Sequence, residues 1–116
     1  MDVYYNNELL NSKGSCDSNF DINTGFIHIK CSNGLSIITG RFSIDTNGKI
    51  GTYEKYITFP FQFDNPPAIS LSATNHDCTV YTDTYGISGF NVSLNLKKAS
   101  SVSNVIVNFF TIGKRK

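Results

Sequence analysis

The chain has 116 residues and 12.8 kDa, the size of one domain around one core, which excludes a two-domain reading. Ten Lys and Arg against nine Asp and Glu leave a formal charge of +1, so no global field gathers nucleic acid or an anionic membrane. Apolar residues at 40%, aromatics at 13%, no Trp, and 13 Asn, 13 Ser and 10 Thr exclude a disordered chain and favour strands and turns over helices.

Taken in chain order, residues 1–24 are rich in Asn and Ser and read as an edge strand or a connector, with a turn around Asn7 to Ser12. The start lacks the basic and apolar regions of a signal peptide, and no run reaches the roughly 18 apolar residues of a membrane span, so neither ordinary export nor membrane insertion is expected. Cys16, Cys31 and Cys78 are odd in number and widely spaced, which predicts reduced thiols and no metal pair. From Phe26 the pattern takes period two. Asn33-Gly34 and Asn47-Gly48, dipeptides that accept positive φ, predict hairpin turns: Gly25 to Cys31 pairs with Leu35 to Ile44, and a second turn leads through Gly51 to the next strand.

Tyr56 to Phe63 reads as one strand with Ile57, Phe59, Phe61 and Phe63 on its core face and Pro60 marking a free or bulged edge. Asp64-Asn65-Pro66-Pro67 is a rigid corner, after which Ile69, Leu71 and Ala73 face inward. Cys78 to Tyr85 alternates Tyr81, Asp83 and Tyr85 against Val80, Thr82 and Thr84, which suits a wet sheet edge. Phe90, Val92, Leu94 and Leu96 line one buried face. The last strand, Val102 to Ile112, is apolar on both faces: Val105, Val107 and Phe109 on one, Ile106, Phe110 and Ile112 on the other. In so small a domain the second face is expected against another subunit. The sum is an all-β, antiparallel β-sandwich of about six to eight strands, one domain over residues 1–116.

Catalytic signals are weak. No nucleophile elbow is present, and His28 alternates onto the polar face of its strand. The nine carboxylates sit mostly at turn-like positions with no spacing that selects an acid–base pair, and the basic end Lys114-Arg115-Lys116 reads as solubilising. No enzyme activity, metal or cofactor is expected. A binding reading fares better. Tyr81 and Tyr85 flank Asp83 close to the loop of Asn75, His76 and Asp77. Aromatic faces stack on the C–H side of sugar rings, while Asp and Asn hold vicinal hydroxyls. These six residues form the carbohydrate-site candidate.

From Tyr56 on, the chain resembles the C-terminal domains of bacteriophage tail fibres and receptor-binding proteins, and the related H-type lectins. The resemblance rests on Ile57-Thr58-Phe59-Pro60-Phe61-Gln62-Phe63 with its Pro66-Pro67 corner, on Gly89-Phe90-Asn91-Val92, and on Val105 to Gly113, in that order. Gly25-Phe26-Ile27 and Asn33 to Gly40 are similar to the opening hairpin of the tail-fibre group. Where H-type lectins carry a Trp after the Gly-Phe-x-Val strand, this chain has Leu96-Lys97-Lys98, and Asp77 alone matches one of their sugar ligands. The Asn-, Ile- and Lys-rich composition and the lack of a signal peptide tip the resemblance toward the phage group. It implies a homotrimer that recognises a host surface polysaccharide without cleaving it, in a virion assembled in the bacterial cytoplasm and joined to other tail or baseplate proteins. The alternative is a structural virion adaptor or trimerisation module.

Overall fold

The computed structural model describes residues 15–74 and 77–116, and upstream of them the backbone of a short antiparallel pair, β1 (Tyr4–Tyr5) with β2 (Glu8–Leu9). The turn expected around Asn7 to Ser12 falls largely outside the described residues. Eight further strands build two antiparallel sheets. One holds β3 (Cys16–Phe20), β4 (Ile27–Cys31), β5 (Leu35–Asp45), β7 (Ala68–Ala73) and β10 (Asn104–Lys114), in the order β3-β4-β5-β10-β7. The other holds β6 (Gly51–Thr58), β8 (Cys78–Tyr85) and β9 (Gly89–Leu96), in the order β6-β9-β8. The expected all-β sandwich is therefore the fold.

Period two explains the core. Phe42 and Ile44 of β5, and Val105, Val107 and Phe109 of β10, face Phe90, Val92, Leu94 and Leu96 of β9 across the sandwich, all buried. The Phe90 and Phe109 rings meet at 5.6 Å, and Phe26 stands edge-on to Phe109 at 4.8 Å. Phe26 reaches that position by lying over Gly40, where a Cβ would collide with its ring.

The structure corrects the sequence reading in five places, each for a local reason. First, β6 ends at Thr58. Pro60 has no N–H for a ladder, so Phe59 to Phe63 continue as an irregular segment. Its apolar alternation survives: Phe59 and Phe63 are buried, and Phe61 is half-buried.

Second, the two Asn-Gly turns differ. At Asn33-Gly34 only Gly34 has positive φ, and the turn closes β4 onto β5 as a hairpin. At Asn47-Gly48 both residues have positive φ, 51° and 71°, and Lys49 N–H donates to Thr46 C=O at 3.0 Å. That turn nevertheless carries the chain from one sheet to the other. Tyr53 Oη lies 3.0 Å from Thr46 O and 2.8 Å from Lys49 O, while Ser100 N–H donates to Gly48 C=O at 2.9 Å.

Third, Cys16 and Cys31 are not reduced thiols. They are direct cross-strand partners of β3 and β4 and form a disulfide. Only the register of β3 on β4 brings them together, so spacing along the chain did not reveal the bridge.

Fourth, β4 has the opposite facing. His28 packs edge-on to Phe61 at 6.0 Å, and Lys30 Nζ sits 5.0 Å over the same ring, so Ile27 and Ile29 point outward. The Phe61 segment covers this end of the sheet in place of a strand.

Fifth, the basic end is woven into the fold. Arg115 pairs with Phe63, its N–H donates to Gly34 C=O at 2.9 Å, and its guanidinium donates to the Ser36 hydroxyl at 3.0 Å.

Candidate functional site

Strand β8 lies at the edge of the three-stranded sheet, as its composition predicts. Across that sheet Tyr81 pairs with Ser93 of β9, and Ser93 pairs with Glu54 of β6, so these three side chains share the outward face. Ser93 is only 1% exposed although it belongs to the solvent side. Its hydroxyl is 3.4 Å from Glu54 Oε1 and 3.3 Å from Asp83 Oδ2, and one hydroxyl proton serves only one of the two at a time. Asn91 Nδ2 donates to Asp83 Oδ1 at 3.1 Å. Asp83 is thus fixed by two neighbours on the central strand while staying exposed.

A bulge at Asp83 decides which aromatics join this face. The register runs Thr82↔Val92 and then Thr84↔Asn91, so Tyr85 comes opposite the fully buried Phe90. One extra residue flips every later side chain to the other side. Tyr81 and Tyr85 therefore do not share a face, contrary to the simple alternation. Tyr85 instead borders a hollow with Pro67, Ala68, Ile69 and Thr82 at the seam with β7. Its place is taken by Tyr56 of β6, which pairs with Asn91 and is 57% exposed, with its hydroxyl lying over Gly89.

Asp77 precedes β8, and its carbonyl accepts from Lys97 N–H at 2.9 Å. Four steps of strand, about 13 Å, separate it from Tyr81. Asn75 and His76 lie outside the described residues. Of the six predicted residues the structure thus brings Tyr81 and Asp83 together, sets Asp77 at one end of the strand and turns Tyr85 away. Sequence reading missed Glu54, Tyr56, Asn91 and Ser93. Asn91 and Ser93 belong to an expected strand, whereas Glu54 precedes the expected Tyr56 to Phe63 strand because β6 begins at Gly51, and the convergence of all four needs the β6-β9-β8 order, which no local pattern carries.

Two tyrosine rings flanking two carboxylates, an amide and a hydroxyl on a gently twisted sheet can stack a pyranose and hold its hydroxyls. Glu54 and Asp83 are both exposed on an open face. Burial, and secondarily the charge of Asp77, push the Cys78 thiol above its usual range, away from the thiolate a nucleophile requires. Among the described residues no group of three or more His, Cys, Asp and Glu side chains could hold a metal ion.

The opposite surface of the molecule carries an apolar patch. Cross-strand pairing aligns Phe20, Ile27, Thr39, Phe110 and Ser70 in one row on the outside of the five-stranded sheet. The next row holds Ser18, Ile29, Ile37, Ile112 and Ala68. Phe20 is 66% exposed, Phe110 43% and Ile27 40%. Ile106 and Ile112, expected with Phe110 on the second apolar face of β10, lie half-buried on this same side.

No protein-family model matches the chain, and no curated protein matches it in sequence. Solved structures do match in fold. A fragment of the Pseudomonas aeruginosa R1 pyocin fibre comprising C-terminal residues 323–701 superposes with a TM-score of 0.65 at 14% identity, over 85% of this chain and 28% of that one. An N-truncated R1-type pyocin tail fibre gives 0.64 at 14% identity, over 85% of each chain. The tailspike protein gp49 of Pseudomonas phage LKA1 gives 0.56 at 14% identity, over 71% of this chain and 15% of the tailspike. The chain has the β-sandwich fold found in these tail fibre and tailspike structures.

Proposed function

We propose that this chain is a receptor-binding tip of a phage-type tail fibre or baseplate, a virion component that holds a host surface glycan without cleaving it. The observation that carries the reading is the match of fold over 85% of the chain to a pyocin tail fibre. The Tyr56, Glu54, Asn91, Ser93, Asp83 and Tyr81 face supplies the stacking surfaces and hydrogen-bonding groups, with Asp77 at the end of its edge strand as a second contact zone. A homotrimer multiplies weak single-site binding through avidity. The apolar outer rows around Phe20, Ile27 and Phe110 supply its interface, together with Ile106 and Ile112.

The test is an array of bacterial surface polysaccharides probed with the purified chain, alongside its solution mass by light scattering. Sugar binding that falls on Tyr81→Ala and Asp83→Ala, from a particle near three times 12.8 kDa, is the expected result. Absence of glycan and cell-surface binding by a correctly assembled particle overturns it. The same apolar rows favour a second reading, a virion adaptor whose partner is another tail protein. In that case Phe110→Asp breaks assembly, while the tyrosine and carboxylate substitutions change nothing.

A further inference from the structure

Strand β4 stops at Ile27, opposite Thr39, whereas β5 continues to Asp45, so among the described residues one edge of β5 has no strand beside it from Gly40 onward. The facing strand β6 is the edge of the other sheet. Between them opens a cleft of about 420 Å³ lined by Asn23, Arg41, Ser43, Lys55, Tyr56 and Thr58, among others, above the buried Phe26 and Phe42. That volume falls within the roughly 300–1,000 Å³ of small-molecule sites.

The charge in this cleft has one sign. Lys55 Nζ donates to Ser43 C=O at 3.2 Å and lies 5.7 Å from the Phe42 ring, which fixes the ammonium at the mouth. Arg41 is exposed and, among the described residues, makes no ion pair or hydrogen bond, so its five donors are available. Among the described residues, no Asp or Glu lines the cleft. Around these two cations stand the amide of Asn23 and the hydroxyls of Ser43 and Thr58, groups that suit sugar hydroxyls. Lys55 already occupies the Ser43 carbonyl, an acceptor an added peptide strand would need, which disfavours an extended peptide as the occupant.

We propose that the β5–β6 cleft is a subsite for an oxyanion-bearing sugar, with Arg41 and Lys55 pairing its carboxylate or phosphate and Asn23 and Ser43 meeting its hydroxyls. This rests on the glycan-binding reading above and assigns it a charge class. Lys55 over the Phe42 ring, with Arg41 at the exposed rim of the same cleft, selects an anionic pyranose over a neutral one of equal shape.

Calorimetric titration of the intact chain with three probes tests it: a glucuronate-containing tetrasaccharide, its carboxyl-reduced counterpart, and a trisaccharide bearing a phosphomonoester. At least one anionic probe is expected to bind about tenfold more tightly than the neutral one, and the anionic probe that wins identifies the source of the oxyanion. Arg41→Gln and Lys55→Gln, with unchanged melting temperature, should each remove most of that preference. Equal binding of all three probes, or a preference that survives both substitutions, overturns the subsite but leaves glycan binding standing. Binding of none of the probes also overturns it, and if the chain then ignores bacterial cells as well, the receptor-binding reading falls too. Competition by an extended peptide in place of the sugars overturns it in favour of strand addition.

Discussion

The sandwich has two inner faces of one kind and two outer faces of opposite kinds. Outside the three-stranded sheet, alternate positions carry Glu54, Tyr56, Asn91, Ser93, Tyr81 and Asp83, of which Glu54, Asn91, Ser93 and Asp83 are linked by hydrogen bonds around a buried serine. Outside the five-stranded sheet the equivalent positions carry Phe20, Ile27, Ile29, Ile37, Phe110 and Ile112, three of them strongly exposed. A strand pair cannot tell which of its faces will meet the other sheet and which will meet water or a partner. The difference teaches that folding uses one side of each sheet and leaves the other free for binding; on the function proposed above, one side meets hydroxyl-rich ligands and the other an apolar protein surface.

The contrast can be broken most completely from the apolar side. Phe110→Asp places a charge among the half-buried isoleucines and the exposed Ile27 of this face and, on the proposed function, is expected to reduce the solution mass from three protomers to one, with the melting transition of the single domain retained. Light scattering and calorimetry read the two effects separately. Next in size is the pair Cys16→Ser with Cys31→Ser. It opens a loop with a sequence separation of 15 and should cost up to about 3 kcal/mol in denaturant unfolding, loosening the β3–β4 half of the apolar face first. On the polar side, Ser93→Ala removes the shared donor between Glu54 and Asp83. Because both carboxylates can rehydrate, the loss should stay near 1 kcal/mol, measured by chemical denaturation. The smallest effect on the fold is expected of Tyr81→Ala, within about 0.5 kcal/mol, with mass unchanged. A glycan-binding assay on this variant then reports on the face alone, and an assembly defect there would erase the proposed division of labour.

Much of this was readable from the residues. The strand alternation placed Phe90 to Leu96, Val105 to Phe109 and Ile69 to Ala73 correctly, because period two maps directly onto burial. Ile106, Phe110 and Ile112 were picked out as a second apolar face for the same reason. What escaped depended on partners distant in sequence. Ile27 and Ile29 face outward only because the Phe61 segment, freed from the ladder by Pro60, covers His28 and Lys30 from the other side. Tyr85 left the tyrosine face because of one bulged residue, and Cys16 met Cys31 because of a register. The Arg41 and Lys55 cleft arises from two strand ends that belong to different sheets. Local pattern specifies which side chains alternate. It does not specify which strand lies beside which, and sites of this kind are made from that adjacency.

The disulfide has a mechanical consequence. β3 is an edge strand that ordinary tension could unzip from β4 one hydrogen-bonded pair at a time. Cys16 is its first residue, and the bond joins it to Cys31, the last residue of β4, which is followed directly by the turn into β5. A pull on the segment N-terminal to Cys16 therefore meets a covalent link before it meets the ladder. The load passes straight into the long β5–β10 pair at the centre of the sheet, and β3 with its exposed Phe20 is bypassed. Such a shunt keeps the apolar rows in register while the chain is under tension, and it fails only when the sulfurs part.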